Sequence, residues 1–318
     1  MNNMTKDQRP KTKGLLVVTL MVLCVFSLIS CTPKKIASDL TSKIIVKGAP
    51  RYEMESDVEI ADDAAMALLK VVEIFQYDNP TNKNFNTTLA RSYANYSMGY
   101  LEQELLEASL QDEETYEKVL KKTKMFYKRG KDYGLNALKK SGSFKKALTK
   151  DMDRFNRVLQ GMGRHQVPRL FWTALNWGSL INYSKNSPLA IAEFPRVEAM
   201  MKRVVELDEG YYYAVPHLFF GVAYATRPAM FGGNMPKAKT HFIKAINAYE
   251  RKFLMSTVYY AQFYALLQKD KALYTSLLNE VIEADASALP EARLANELAK
   301  VRAQWLLDNM KELFKKQI

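Results

Sequence analysis

The side chains able to carry out chemistry are few. The 318 residues contain three histidines, His165, His217 and His241, and two cysteines, Cys24 and Cys31. A nucleophile or general base needs an orienting partner, and none recurs here at recognisable spacing; a Gly-rich phosphate loop closing on Lys and Ser or Thr is also missing. His217 and His241 stand well apart in sequence with no carboxylate at ligand spacing, the pattern of packed helical histidines and not of a metal site. The expectation is a protein that is no enzyme, with no cofactor and no metal.

Cys31 is different, because of what precedes it. Residues Met1 to Lys13 are polar and basic, and Gly14 to Leu28 form an apolar run of signal-peptide size, too short to cross a bilayer easily. Leu28, Ile29, Ser30 and Cys31 then resemble the bacterial lipobox, in which the Cys thiol takes a diacylglyceryl group. Residues 1–30 read as a lipoprotein signal peptide and Cys31 as the lipidation site. Cys24 leaves with the signal, so the mature chain has no disulfide. Several acyl chains at ~0.8 kcal/mol per buried CH₂ anchor far more firmly than one. Thr32, not Asp, follows Cys31, which favours the outer membrane over the inner; the expected place is periplasmic and lipid-anchored. Residues 31–56, with Pro33, Gly48 and Pro50, read as a lipidated tether with one short extended piece at Lys43 to Lys47. Asn86-Thr87-Thr88 and Asn95-Tyr96-Ser97 match the glycosylation triplet, which has little force in a bacterial lipoprotein.

What must position any site is helical. From Asp57 onward apolar residues recur at three and four, as in Ala64, Ala65, Leu68, Leu69, Val72 and Phe75, and alternation at period two is nearly absent. Only 13 Gly and 11 Pro punctuate the chain, so the helices run long. Turn chemistry at Asp78-Asn79-Pro80, Ser141-Gly142, Asn186-Ser187-Pro188, Glu209-Gly210, Gly232-Gly233-Asn234 and Leu289-Pro290 cuts the body, residues 57–318, into hairpins. The fold class expected is all-α, a tetratricopeptide (TPR)-like α-solenoid of about five to six helical hairpins. Gly221 and Tyr224 supply the first-helix signature of such a repeat, and Ala238, Phe242 and Ala245 that of the second. Asp208 and Asp285 close two similar segments, and their separation is that of two repeat units plus a loop insertion. Small residues let helices approach while Tyr and Phe fill the gaps, and stacked hairpins leave a concave face for an extended peptide or a cleft-filling ligand.

Charge is uneven. The chain carries +12, and Lys118 to Lys150 alone holds twelve Lys or Arg against Asp132. In an exported protein such a stretch points to acidic lipid or an acidic protein surface, or is a solvated face, and not to nucleic acid. The insertion Arg227 to Pro236 reads either as the rim of a cleft or as a stiff connector. Arg227 would meet an anionic group there, beside Phe231, Gly232, Gly233 and Asn234, with Trp172, Trp177, Tyr211, Tyr212 and Phe219 as apolar wall or as ordinary core.

Several weak motifs then fall in a recognisable order: Tyr133-Gly134-Leu135, Leu170 to Gly178, Phe194 to Met200, Leu207 to Tyr212, Pro216 to Gly221, Arg227 to Asn234, His241-Phe242 and Pro290 to Ala299. The order resembles the T component associated with TRAP transporters (TatT), over about residues 57–314. Asn234 stands where an Asp is expected, and Phe219-Phe220 replaces a smaller aliphatic. The resemblance implies a periplasmic helical lipoprotein working beside the substrate-binding P subunit of a tripartite, ATP-independent transporter. It implies a homo-oligomer, with a trimer as one arrangement, and a hydrophobic or amphipathic carboxylate as small-molecule ligand. The alternative is a TPR scaffold lipoprotein for outer-membrane or envelope complexes, with no small ligand.

Overall fold

The computed structural model describes residues 32–139 and 142–316, and these are helices and turns with no strand among them. The expected signal peptide and the lipidation site Cys31 lie outside the described residues. The fold is all-α. In chain order α1 is Thr32–Glu53, α2 Val58–Asp78 and α3 Lys83–Tyr96; a π-turn, Ser97–Leu101, leads into α4, Glu102–Ser109. Then come α5 Glu113–Lys139, α6 Gly142–Ala147, α7 Met152–Gln160, α8 Val167–Asn182, α9 Pro188–Ala192 and α10 Phe194–Leu207. The last six are α11 Tyr211–Thr226, α12 Met235–Asn247, α13 Leu254–Tyr260 with its π-turn Ala261–Ala265, α14 Lys271–Glu283, α15 Arg293–Asp308 and α16 Met310–Lys316.

Caps follow local chemistry. Asp57, Asn82, Asp151, Ser187, Asn234 and Asp270 each accept from backbone N–H groups of the first turn they open. Packing runs α3 on α5, α5 on α8, α8 on α10, then α11 on α12 and α13 and α14 on α15. The array curls, because α15 returns to touch both α1 and α2. One large core extends from α3 to α16, and a smaller one gathers Leu69, Val72, Phe85, Leu89, Tyr93, Leu101 and Phe126 between α2, α3 and α5. At α11 and α12 the small residue is required: a Cβ on Gly221 would stand 2.9 Å from the Phe242 ring, so Gly221 sets how closely the two helices approach.

The segment read as a tether with an extended piece at Lys43–Lys47 is instead the 22-residue helix α1. Tertiary partners override weak propensity and Pro50. Asn82 Nδ2 donates to Asp39 Oδ1 at 2.7 Å, Arg91 Nε donates to Glu53 Oε1 at 2.9 Å, and Tyr52 Oη donates to the Ala61 carbonyl at 2.9 Å. At the start of α11, Tyr212, Tyr213 and Ala214 hold φ of 45°, 60° and 58°. Three successive left-handed non-Gly residues cost on the order of 1–2 kcal/mol each. Tyr212 offsets part of that by packing edge-on to Trp172 at 4.6 Å and accepting from Asn95 Nδ2 at 3.0 Å.

Candidate functional site

Among the described residues two cavities are walled by several helices and largely apolar, while a third, at Ile282, Lys300, Val301, Gln304, Trp305 and Asp308, is an open surface hollow. The larger of the two, about 800 Å³, is walled by α8, α9, α10 and α11. Leu175, Ile181, Phe194, Leu218, Phe219 and Val222 make most of it apolar. Its inner end is built by the two π-turns and their neighbours, Met98 and Glu102 from one and Tyr259 and Phe263 from the other. Such helical irregularities mark functional sites more often than plain helix does.

At that inner end Glu102 is buried. Tyr127 Oη donates to its Oε1 at 2.7 Å, Tyr259 Oη donates to its Oε2, and Arg302 Nη1 stands 3.5 Å from the same oxygen. Burial first, and the Glu102 carboxylate second, raise the pKa values of Tyr127 and Tyr259 far above the ordinary phenol value, so both remain donors. Arg302 is 1% exposed and donates from Nη2 to the Met98 carbonyl in the π-turn. A buried arginine thereby fixes the backbone where the cavity ends.

The outer end is cationic. Lys185 is exposed, yet partial burial still lowers its pKa, and no carboxylate lies within ion-pair distance of it among the described residues. Arg227 is half-buried, donates from Nε to the Ala223 carbonyl at 2.7 Å and holds its guanidinium 3.9 Å from the Phe194 ring centre. Burial lowers its pKa as well, with Glu198 and then Tyr224 opposing the shift. Lys202, also lining the cavity, is by contrast paired with Glu198 at 3.3 Å.

The smaller cavity, about 440 Å³, is covered by α1 and α2 through Ile44, Ile45, Ala49, Tyr52, Leu68 and Val72. Its polar corner is the Glu53–Arg91 pair with Asn95 and Tyr212. Met98 and Val215 line both cavities.

Arg227, Phe219, Phe231 and Gly232 line the large cavity, and Tyr212 lines the small one. Trp172, Trp177, Tyr211, Gly233 and Asn234 line neither. Trp172 is core, with Arg91 5.7 Å over its ring. Trp177 is core too: its Nε1 donates to Glu193 Oε2 at 2.5 Å and Lys131 sits 4.3 Å from its ring centre. Tyr211 packs edge-on to Phe171 at 5.0 Å, and burial pushes its pKa up to about 12. Asn234 caps α12 by accepting from Lys237 N–H at 2.9 Å. Gly233 is a close approach, since a Cβ there would meet the Arg227 carbonyl at 1.9 Å, while Gly232 takes φ 87°. Sequence reading missed Glu102, Lys185 and the π-turns; the one available signal for Glu102 was a carboxylate among apolar helical positions.

His217 and His241 form a pair. Their Nδ1 atoms are 3.0 Å apart, and His217 Nε2 is 2.8 Å from Glu209 Oε1. The carboxylate makes His217 Nε2 the donor, so its Nδ1 accepts from His241 Nδ1–H. Burial lowers the pKa of both, that of His241 to about 4 with help from the His217 and Lys244 charges. Glu209, held by His217 and Lys244, is lowered. Among the described residues no group of three or more His, Cys, Asp or Glu is placed to hold a metal ion.

The described residues thus form an all-helical array around an apolar cavity with Lys185 and Arg227 on its lining. Residues 54–314 match the TRAP transporter T-component family, and the chain belongs to it. A protein of Treponema pallidum (strain Nichols) described as uncharacterized is 23% identical over 271 residues, covering 83% of this chain and 82% of the relative. Among the described residues no helix is long and apolar enough to cross a membrane.

Proposed function

We propose that this chain is the lipid-anchored accessory of a TRAP-type transporter, acylated at Cys31 and exported, and that its large cavity binds an amphipathic carboxylate. The supporting observation is the pairing of an apolar cavity of about 800 Å³ with two cations at its mouth, Lys185 and Arg227, that have no carboxylate within ion-pair distance among the described residues. A half-buried cation without a counter-ion, as Arg227 is, is costly; an anionic head group would supply its partner, with the exposed Lys185 as a second, solvent-screened charge, while its tail covers Leu218, Phe219 and Val222. The volume lies within the ~300–1,000 Å³ of small-molecule sites. In this reading residues 57–318 form a TPR-like body. Its partner is the periplasmic P subunit that receives the ligand.

The test is organic extraction of protein purified from its native membrane, followed by mass spectrometry, together with capture of partners on the acylated protein. Release of an apolar carboxylate and recovery of a solute-binding subunit are the expected results. An empty extract with recovery of envelope-assembly proteins would overturn the reading in favour of a scaffold.

A further inference from the structure

The helix registers bring one end of the molecule together from distant sequence. α1 runs parallel to α3, since Asn82 reaches Asp39 while Arg91 and Asn95 reach Glu53. α5 runs antiparallel to α3: Tyr96 stacks on Phe126 at 5.4 Å, and Arg129 Nη1 lies 3.4 Å from Tyr93 Oη. α8 runs antiparallel to α5, since Lys131 sits on Trp177 while Tyr127 stacks on Tyr183 at 5.9 Å. The start of α1, the turn between α2 and α3, the end of α5, the start of α6 and the start of α8 therefore share one end. α1 begins at Thr32, about two helical turns before Asp39, and so projects past the level of Asn82.

That end is apolar on one side and basic on the other. Ile36 (58% exposed), Leu40 (54%), Ile74 (69%) and Tyr77 (85%) lie bare on α1 and α2. Beside the end of α5, α6 exposes Lys145 and Lys146; the chain then dips to Lys150, whose carbonyl accepts from Arg196 at 2.8 Å, and returns along α7 with Arg154 and Arg157 exposed, the five cations outnumbering Asp151 and Asp153. Bare aliphatics with a Tyr, next to an excess of cations, are the composition of a membrane-interface surface.

We infer that this end rests on an anionic lipid bilayer, with Ile74 and Tyr77 at headgroup depth and the α6–α7 cations on lipid phosphates. The inference rests on the anchoring reading at one point: the projecting start of α1 is where the chain leaves toward Cys31, so an acyl anchor there delivers this end, and no other, to the membrane. Charge complementarity selects the bilayer over a second copy of this chain, whose same face would be equally basic.

The test uses the acylated protein carrying Tyr77→Trp in vesicles of brominated phosphatidylglycerol. Quenching of the added indole at low salt is expected. It falls when Lys145, Lys146, Arg154 and Arg157 are all changed to Glu, and it is weaker in brominated phosphatidylcholine, where the same charge reversal changes it little. No quenching in phosphatidylglycerol overturns the inference. So does shielding of the indole in detergent that grows with protein concentration, which would put a second copy on the face. The mass of the processed chain reports acylation separately: an unacylated chain that is still quenched would retain the surface and remove the anchor.

Discussion

Lys185→Met leaves a side chain of similar length at the cavity mouth and deletes one charge. A charge-assisted hydrogen bond is worth about 1.5–3 kcal/mol when shielded. Lys185 is exposed, so solvent screening reduces this to about 1–2 kcal/mol, or roughly 5- to 30-fold in affinity. The assay is displacement of 8-anilinonaphthalene-1-sulfonate by dodecanoate and, separately, by dodecanol. In the unmodified protein dodecanoate should compete better by about that factor; in Lys185→Met the two should converge because only the carboxylate loses its partner. Thermal stability should be unchanged or slightly higher, since an ammonium whose pKa burial lowers is being removed. Equal competition by acid and alcohol in the unmodified protein would refute the reasoning, as would an equal loss for both ligands in the variant.

Arg302→Ala should cost about 3–5 kcal/mol in urea unfolding, because it strands Glu102 in the interior; Glu102→Leu combined with Arg302→Met should recover much of that, and an additive loss would argue against the pair. Stability should drop as the pH is lowered from about 6.5 to about 4, because His241 protonates readily when unfolded but only near 4 when folded. The loss should reach about 2 kcal/mol after discounting for partial exposure, with no further change from this group above neutral pH, and His241→Phe should flatten the slope. Gly233→Ala should lower the thermal midpoint and weaken ligand binding together, since its Cβ would collide with the Arg227 carbonyl; unchanged binding would release the loop from the cavity rim.

Helical class was legible because periodicity at three and four needs no knowledge of neighbours. Gly221 and Phe242 were legible for a related reason: small-against-large packing within one hairpin leaves a local signature. The helix at Thr32–Glu53 was not, because Asn82, Arg91 and Ala61 stabilise it from elsewhere in the chain. The tryptophans mark the same boundary. An aromatic on a helix reads alike whether it faces a void or a neighbour, and Trp172 and Trp177 face Tyr212, Lys131 and Glu193. Arg227 stood out because a loop cation beside two glycines is locally conspicuous, whereas Lys185 acquires its character only from what is missing around it.

Met98 and Val215 form a wall that the two cavities share. A guest that pushed either side chain aside on one side would take volume from the other, and two such occupants would then not bind independently. Linkage makes the penalty mutual: whatever factor the first guest imposes on the second, the second imposes on the first. Arg302 is fastened to the Met98 carbonyl, so any give in the shared wall would come from side-chain rotation, to which methionine, unbranched and polarizable, is well suited.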